Sequence, residues 1–103
     1  MKQTKSYNCK IYIAGDINQI KQVCREFCFE VGLCVTVNPT DYIYTGGEET
    51  GAIIGLINYP RFPAKSGKIK SIAIKLALEI MQKCCQQSFT IETPNKTYWF
   101  SRR

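Results

Sequence analysis

The chain has 103 residues, of which 45% are hydrophobic and 21% charged, and its formal net charge is +6. These values predict one folded domain over residues 1–103 and exclude a disordered or low-complexity chain. No apolar run approaches the roughly 20 residues that span a bilayer, and the basic N-terminus lacks the apolar stretch of a secretory signal. We therefore expect a cytoplasmic protein that makes no membrane contact.

The first half of the chain predicts a strand, a helix and a hairpin. Residues 8–14 alternate between apolar and polar side chains, which is typical of a half-buried strand. Asp16 and Gly32 are suited to cap a helix whose apolar residues recur at three- and four-residue steps. After this helix, residues 33–45 predict one long strand, bent near Pro39, and a glycine pair predicts a tight turn into the next strand.

The second half predicts a loop, a second helix and a terminal hairpin. Pro60 and Pro63 stiffen the loop, and a helix of about five turns begins at Ser66 or Gly67. The runs SFTIE and TYWFS flank a TPNK turn. The resulting order, β-α-β-β-α-β-β, predicts an α+β, ferredoxin-like βαββαβ sandwich with an extra C-terminal β-strand, in which two helices pack on one face of an antiparallel sheet.

This order of elements resembles that of the RNA-recognition motif, which places stacking aromatic rings on its first and third strands. Tyr12 lies in the first strand, where one such ring is expected. Ile54, Leu56 and Ile57 occupy the third strand, and an aliphatic strand of this kind favours burial against a second copy of the chain. We therefore expect a homodimer or a higher homo-oligomer.

The composition excludes several kinds of catalytic and metal site. The sequence contains no histidine, so Ser-His-Asp and Cys-His catalytic sites and histidine-ligated metals are impossible. The acidic pair Glu48 and Glu49 lies at a predicted hairpin tip, where solvated charges are the favoured interpretation. The six cysteines lack the spacing of a zinc knuckle. We predict reduced, mostly buried thiols, no metal and no cofactor.

A basic segment over residues 61–75 is the predicted binding site. Lysines flank the start of the second helix, where the helix dipole is already positive, and a bound anion would remove this conflict. Arg61 adds a forked guanidinium, and Tyr59 or Phe62 could flank the ligand with its ring. Tyr12 is the aromatic contact predicted on the first strand. A solvated flank of lysines is the alternative. The predicted anion-binding residues are Arg61, Lys65, Ser66, Gly67 and Lys68.

From these features we predict a non-enzymatic binding or regulatory protein that engages an anionic ligand, a nucleic acid or an acidic protein surface, with no catalytic residues. One alternative is a protein–protein inhibitor or adaptor of the phage accessory, anti-defence type. It would act through the open sheet face or through the terminal hairpin with Tyr98 and Trp99. A second alternative is a small enzyme that uses Glu48 or Glu49 as a base together with Arg61.

Overall fold

A computed structural model describes residues 1–102, in which two helices pack on one face of a five-stranded antiparallel sheet. The helices are α1 (Ile17–Val31) and α2 (Ser66–Lys83). The strands are β1 (Asn8–Ala14), β2 (Thr36–Tyr44), β3 (Gly47–Ile57), β4 (Ser88–Glu92) and β5 (Thr97–Ser101). Their order across the sheet is β2-β3-β1-β4-β5, which confirms the predicted ferredoxin-like arrangement with an additional C-terminal strand.

The core lies between the helices and one face of the sheet. Cys9, Ile11 and Ile13 of the central strand β1 are at most 2% exposed, which confirms the alternation predicted for this strand. Removing apolar side chains such as these from water is the main favourable contribution to folding. The helices contribute Ile20, Val23, Cys24, Phe27, Ile69, Ala73, Leu76, Ala77, Ile80 and Met81.

The two helices differ in how their first turns are capped. In α1 the side chain of Asp16 accepts a hydrogen bond from the backbone N–H of Gln19 at 3.0 Å, and Gly32 ends the helix in the left-handed conformation at φ 74°. Both caps were predicted. The N-cap of α2 is Lys65, whose side chain makes no capping hydrogen bond. Helix α2 therefore begins without a side-chain cap and with a cation near the positive end of its dipole.

Strand β2 differs from its prediction. It begins at Thr36 and not at Leu33, and it pairs with β3 in unbroken register from Thr36 opposite Gly55 to Tyr44 opposite Gly47. The predicted bend near Pro39 is absent from this register. Because β2 is an edge strand, a residue without a backbone N–H is tolerated there.

Neither helix covers the second face of the sheet, which we call the open face. Its central row follows the strand register and consists of Asn38, Ile53, Tyr12, Thr90 and Trp99. Trp99 at the edge of this row is 70% exposed. Within residues 1–102, no helix is both long and apolar enough to cross a bilayer.

Candidate active site

Two glycines of β3 leave room for the rings of two tyrosines on the open face. Gly47 and Gly51 lie four residues apart and therefore on the same side of the strand. A Cβ atom at Gly47 would lie 3.1 Å from the ring of Tyr44, and one at Gly51 would lie 2.8 Å from the ring of Tyr42. The absence of side chains at these positions therefore allows both rings to lie close to β3.

A cleft of about 320 Å³ opens at the C-terminal end of β1. One wall is the β2–β3 hairpin, where direct pairing of Tyr42 with Glu49 places both side chains on the open face. The other wall is the segment that links α2 to β4. The lining residues are Tyr12, Ile13, Ala14, Tyr42, Tyr44, Glu49, Cys85, Gln86, Gln87, Ser88, Phe89 and Thr90.

Hydrogen bonds orient the two hairpin tyrosines. The hydroxyl of Tyr42 donates to the carbonyl oxygen of Ala52 at 2.6 Å, and that of Tyr44 donates to Oε1 of Glu49 at 3.3 Å. Burial raises the pKa of Tyr42, and desolvation together with the nearby Glu49 carboxylate raises the pKa of Tyr44. Both phenols are therefore neutral near pH 7 and act as hydrogen-bond donors.

The third tyrosine of the cleft is held from the neighbouring strand. The hydroxyl of Tyr12 donates to Oε1 of Glu92 at 2.8 Å. This hydrogen bond, together with partial burial, raises the pKa of Tyr12. Its ring is consequently fixed on the open face, with its π-surface available to a ligand.

The charge of the cleft is opposite to that of the whole protein. Among residues 1–102, Glu49 is the one charged residue that lines it, and no lysine or arginine does so. The chain as a whole carries a formal charge of +6. Aromatic faces and a carboxylate attract cations, so the cleft suits a ligand that carries positive charge.

The predicted anion-binding residues lie at the opposite end of β1. Lys65 and Ser66 line a separate cleft of about 760 Å³, together with residues that precede β1. Arg61, Gly67 and Lys68 are exposed nearby. The structure thus brings part of the predicted set together around the start of α2, and anion binding there stays a prediction.

The predicted aromatic contacts are divided between the two ends of the sheet. The rings of Tyr59 and Phe62 contact each other, with centroids 5.3 Å apart, in the loop before α2. Tyr12 instead lines the cleft at the C-terminal end of β1. Tyr12 therefore belongs with the hairpin tyrosines and not with Arg61.

The acidic pair is also divided, because adjacent strand residues face opposite sides of the sheet. Glu49 lines the cleft, whereas Glu48 pairs with Ile43 and points to the other side. Tyr42 and Tyr44 were not among the predicted site residues. The short turn at Gly46 could have revealed them, since it fixes a register in which both tyrosines share a face with Glu49.

The cysteines do not assemble into a metal centre. All six are free, and Cys34 and Cys85 are the exposed ones. Within residues 1–102, no group of three metal-ligating side chains occurs.

Comparison with known proteins gives matches in structure and none in sequence. No protein-family model and no curated protein matches the chain. The whole chain is similar to a solved structure described as a phage SAM lyase in the apo state, with a TM-score of 0.78, 14% identity and 96% of that chain covered. A phage SAM lyase in complex with S-methyl-5'-thioadenosine matches 98% of this chain and 93% of its own, with a TM-score of 0.64 and 12% identity.

These neighbours correct the leading functional prediction. The prediction of a non-enzymatic binding protein is wrong, because both neighbours are named as enzymes. The comparisons favour the alternative of a small enzyme. Of the two acids considered for that alternative, the structure places only Glu49 in the cleft, and Arg61 does not line it. The phage origin of both neighbours is compatible with the phage accessory character considered in the other alternative.

Proposed function

We infer that this protein is a lyase that acts on S-adenosylmethionine and releases S-methyl-5'-thioadenosine. The observation that carries the proposal is similarity over nearly the full length of both chains to two phage SAM lyase structures, one of which holds S-methyl-5'-thioadenosine. The chain itself supports the proposal, because the tyrosine rings and the Glu49 carboxylate of the cleft attract a cation such as a sulfonium.

The chemistry follows from the substrate and the product. S-methyl-5'-thioadenosine keeps the methyl and adenosyl groups of S-adenosylmethionine, so the bond that breaks joins sulfur to the amino-acid side chain. The electron pair of that bond stays on sulfur and converts a cationic sulfonium into a neutral thioether. The leaving group therefore needs no proton. A lyase adds no external group, so the carbon that loses sulfur has two possible fates. It bonds to the substrate's own carboxylate oxygen, which closes a lactone, or a base takes a proton from the neighbouring carbon, which leaves a C=C bond.

The cleft residues have distinct roles in this proposal. The faces of Tyr12 and Tyr42 bind the sulfonium through cation–π attraction, and the Glu49 carboxylate attracts the positive groups of the substrate. Attraction to the ground-state cation by itself lowers KM without raising kcat. The rate therefore depends on holding the amino-acid side chain in a reactive geometry and on excluding water from the breaking bond.

The polar residues on the opposite wall complete the binding site. The amide side chains of Gln86 and Gln87 and the hydroxyl of Ser88 provide donors and acceptors for the adenine edge and the substrate carboxylate. A few such groups in an aromatic pocket are typical of sites that fix a ligand's orientation. The cleft volume, about 320 Å³, falls in the range of small-molecule sites.

The adjacent acids give a matched test of this assignment. Purified wild-type protein is incubated with S-adenosylmethionine, and both products are quantified by liquid chromatography and mass spectrometry. We expect S-methyl-5'-thioadenosine to form, and we expect Glu49→Gln to lower kcat/KM about tenfold or more, because the favourable charge interaction with the substrate is lost. Glu48→Gln makes the same chemical change on the other side of the strand and is expected to leave kcat/KM within about twofold of wild type.

Two results would contradict the proposal in different ways. Unchanged S-adenosylmethionine after incubation with wild-type protein would reject the activity. If the wild type turns over S-adenosylmethionine and Glu48→Gln and Glu49→Gln change kcat/KM equally, the activity stands but this cleft is not its site.

A further inference from the structure

The segment that links α2 to β4, residues 84–87, forms one wall of the candidate cleft through a tight turn at the helix end. The backbone N–H of Gln86 donates to the carbonyl of Met81 at 2.8 Å, and that of Cys85 donates to the carbonyl of Gln82 at 3.4 Å. These two bonds match the Schellman pattern of helix termination. Its left-handed position is usually glycine but is here Cys85, at φ 56°.

A turn with a non-glycine residue in the left-handed conformation is disfavoured and needs support from its surroundings. The guanidinium of Arg102 supplies such support from beyond β5. Its Nε and Nη2 donate to the carbonyl of Gln86 at 3.1 and 2.7 Å, and Nη2 also donates to the carbonyl of Met81 at 3.2 Å. The backbone N–H of Arg102 donates to the carbonyl of Gln87 at 3.0 Å.

We propose that Arg102 is a positioning residue of the candidate active site. Its guanidinium joins the last turn of α2 to the following segment and so fixes the wall that presents Cys85, Gln86 and Gln87 to the substrate. Arg102 does not itself line the cleft. This inference rests on the proposed function, because it concerns turnover in that cleft.

A positioning role needs the planar fork of the guanidinium, whereas a purely structural role at the helix end needs only its charge. A cation near the C-terminus of α2 stabilises the helix through its dipole, and a lysine can supply that charge. An ammonium group lacks the planar fork through which Arg102 bonds two carbonyls at once. Arg102→Lys is therefore expected to keep most of the stability and to lose the fixed position of the wall.

The test compares Arg102→Lys and Arg102→Ala with wild type in turnover of S-adenosylmethionine. We expect kcat to fall about tenfold or more in both variants, since small misplacements of a site have costs of this order. Arg102→Lys should unfold close to the wild-type temperature. Added methylguanidine should restore part of the turnover of Arg102→Ala, and amide hydrogen exchange at Gln86 should accelerate in both variants.

Arg25→Ala is the matched control. Arg25 is an exposed arginine on α1 whose side chain donates to Gln22 of the same helix, and it does not line the candidate cleft. We expect its removal to leave kcat and KM unchanged.

The outcomes separate this inference from the proposed function. Wild-type kcat and KM in both Arg102 variants, in a protein that does turn over S-adenosylmethionine, would overturn the positioning role even if Arg102→Ala were less stable. Absence of turnover in the wild-type protein would reject the proposed function and this inference with it. If Arg102→Ala fails to fold, Arg102→Lys alone decides the question.

Discussion

At the scale of single residues, the candidate site depends on where side chains are absent as much as on where they are present. A Cβ atom at Gly51 would lie against the carbonyl oxygen of Ile13, 2.7 Å from Cα of Ala14 and 2.8 Å from the ring of Tyr42. Two of these neighbours are backbone atoms of the central strand, which cannot move aside without distorting that strand. Gly51 therefore sets both the approach of β3 to β1 and the position of a cleft tyrosine.

Gly51→Ala is expected to lower the free energy of unfolding by about 3 kcal/mol, because the added methyl group overlaps main-chain atoms. Urea denaturation followed by circular dichroism measures the change. The control is Gly67→Ala in the first turn of α2, where an added Cβ meets no atom within 4 Å. That variant should be more stable than wild type by about 0.5 kcal/mol, because alanine is the better helix former. Equal destabilisation of the two variants would show that steric overlap at Gly51 is not the cause.

At the scale of secondary-structure elements, the helices begin with different capping arrangements, and this difference can be measured. Helix α1 has the side-chain cap of Asp16, whereas α2 begins after Lys65, whose backbone has the extended conformation of an N-cap at φ −72° and ψ 148°. An acidic side chain in this conformation can accept a hydrogen bond from the first turn.

Lys65→Asp should raise the free energy of unfolding by about 1 kcal/mol, because it supplies a cap and replaces a cation with an anion at the positive end of the helix dipole. The reverse change in α1, Asp16→Ala, should lower it by about the same amount.

Thermal unfolding with added inorganic phosphate then tests the predicted anion site. If phosphate raises the unfolding temperature of the wild type but not that of Lys65→Asp, the result would support that site. Equal shifts in the two proteins would reject it.

Much of the element order could be predicted from local signals in the sequence. The alternation of Cys9, Ile11 and Ile13 and the caps Asp16 and Gly32 each act within a few residues, so they can be recognised without knowledge of the fold. The start of β2 at Thr36 could not be predicted, because Leu33 and Val35 are also apolar but pack against the core ahead of the strand. Tertiary packing determined that boundary.

At the scale of the whole molecule, the cleft is assembled from parts that are distant in sequence. Tyr12, the β2–β3 hairpin and residues 85–90 converge only because β1 lies between β3 and β4 in the sheet. The predicted anion site between Arg61 and Lys75 instead consists of charges that are close along the chain. The net charge of the chain does not indicate the charge of the cleft. The protein is basic, whereas Glu49 is the one charged residue among residues 1–102 that lines the cleft.

The prediction of a homo-oligomer also belongs to this scale and stays a prediction. The open face carries Trp99, which is 70% exposed, and Ile57, which is 47% exposed. Apolar side chains on an uncovered sheet face are available for association.

The measurement that tests the central claim most directly is a site-resolved thiol footprint with S-methyl-5'-thioadenosine. Cys85 lines the candidate cleft, and the other exposed cysteine, Cys34, lies on a different surface and is the internal control. Burial raises the pKa of Cys24 to about 12, so this thiol should not react with iodoacetamide at pH 8.

We predict that the ligand will slow alkylation of Cys85 at least about fivefold, because access to a thiol in an occupied cleft is reduced, and will leave the rate at Cys34 unchanged. Peptide mass spectrometry reports both sites in one sample. Equal rates at Cys85 with and without ligand, or protection of Cys34 alone, would contradict the claim that this cleft binds the product of S-adenosylmethionine cleavage.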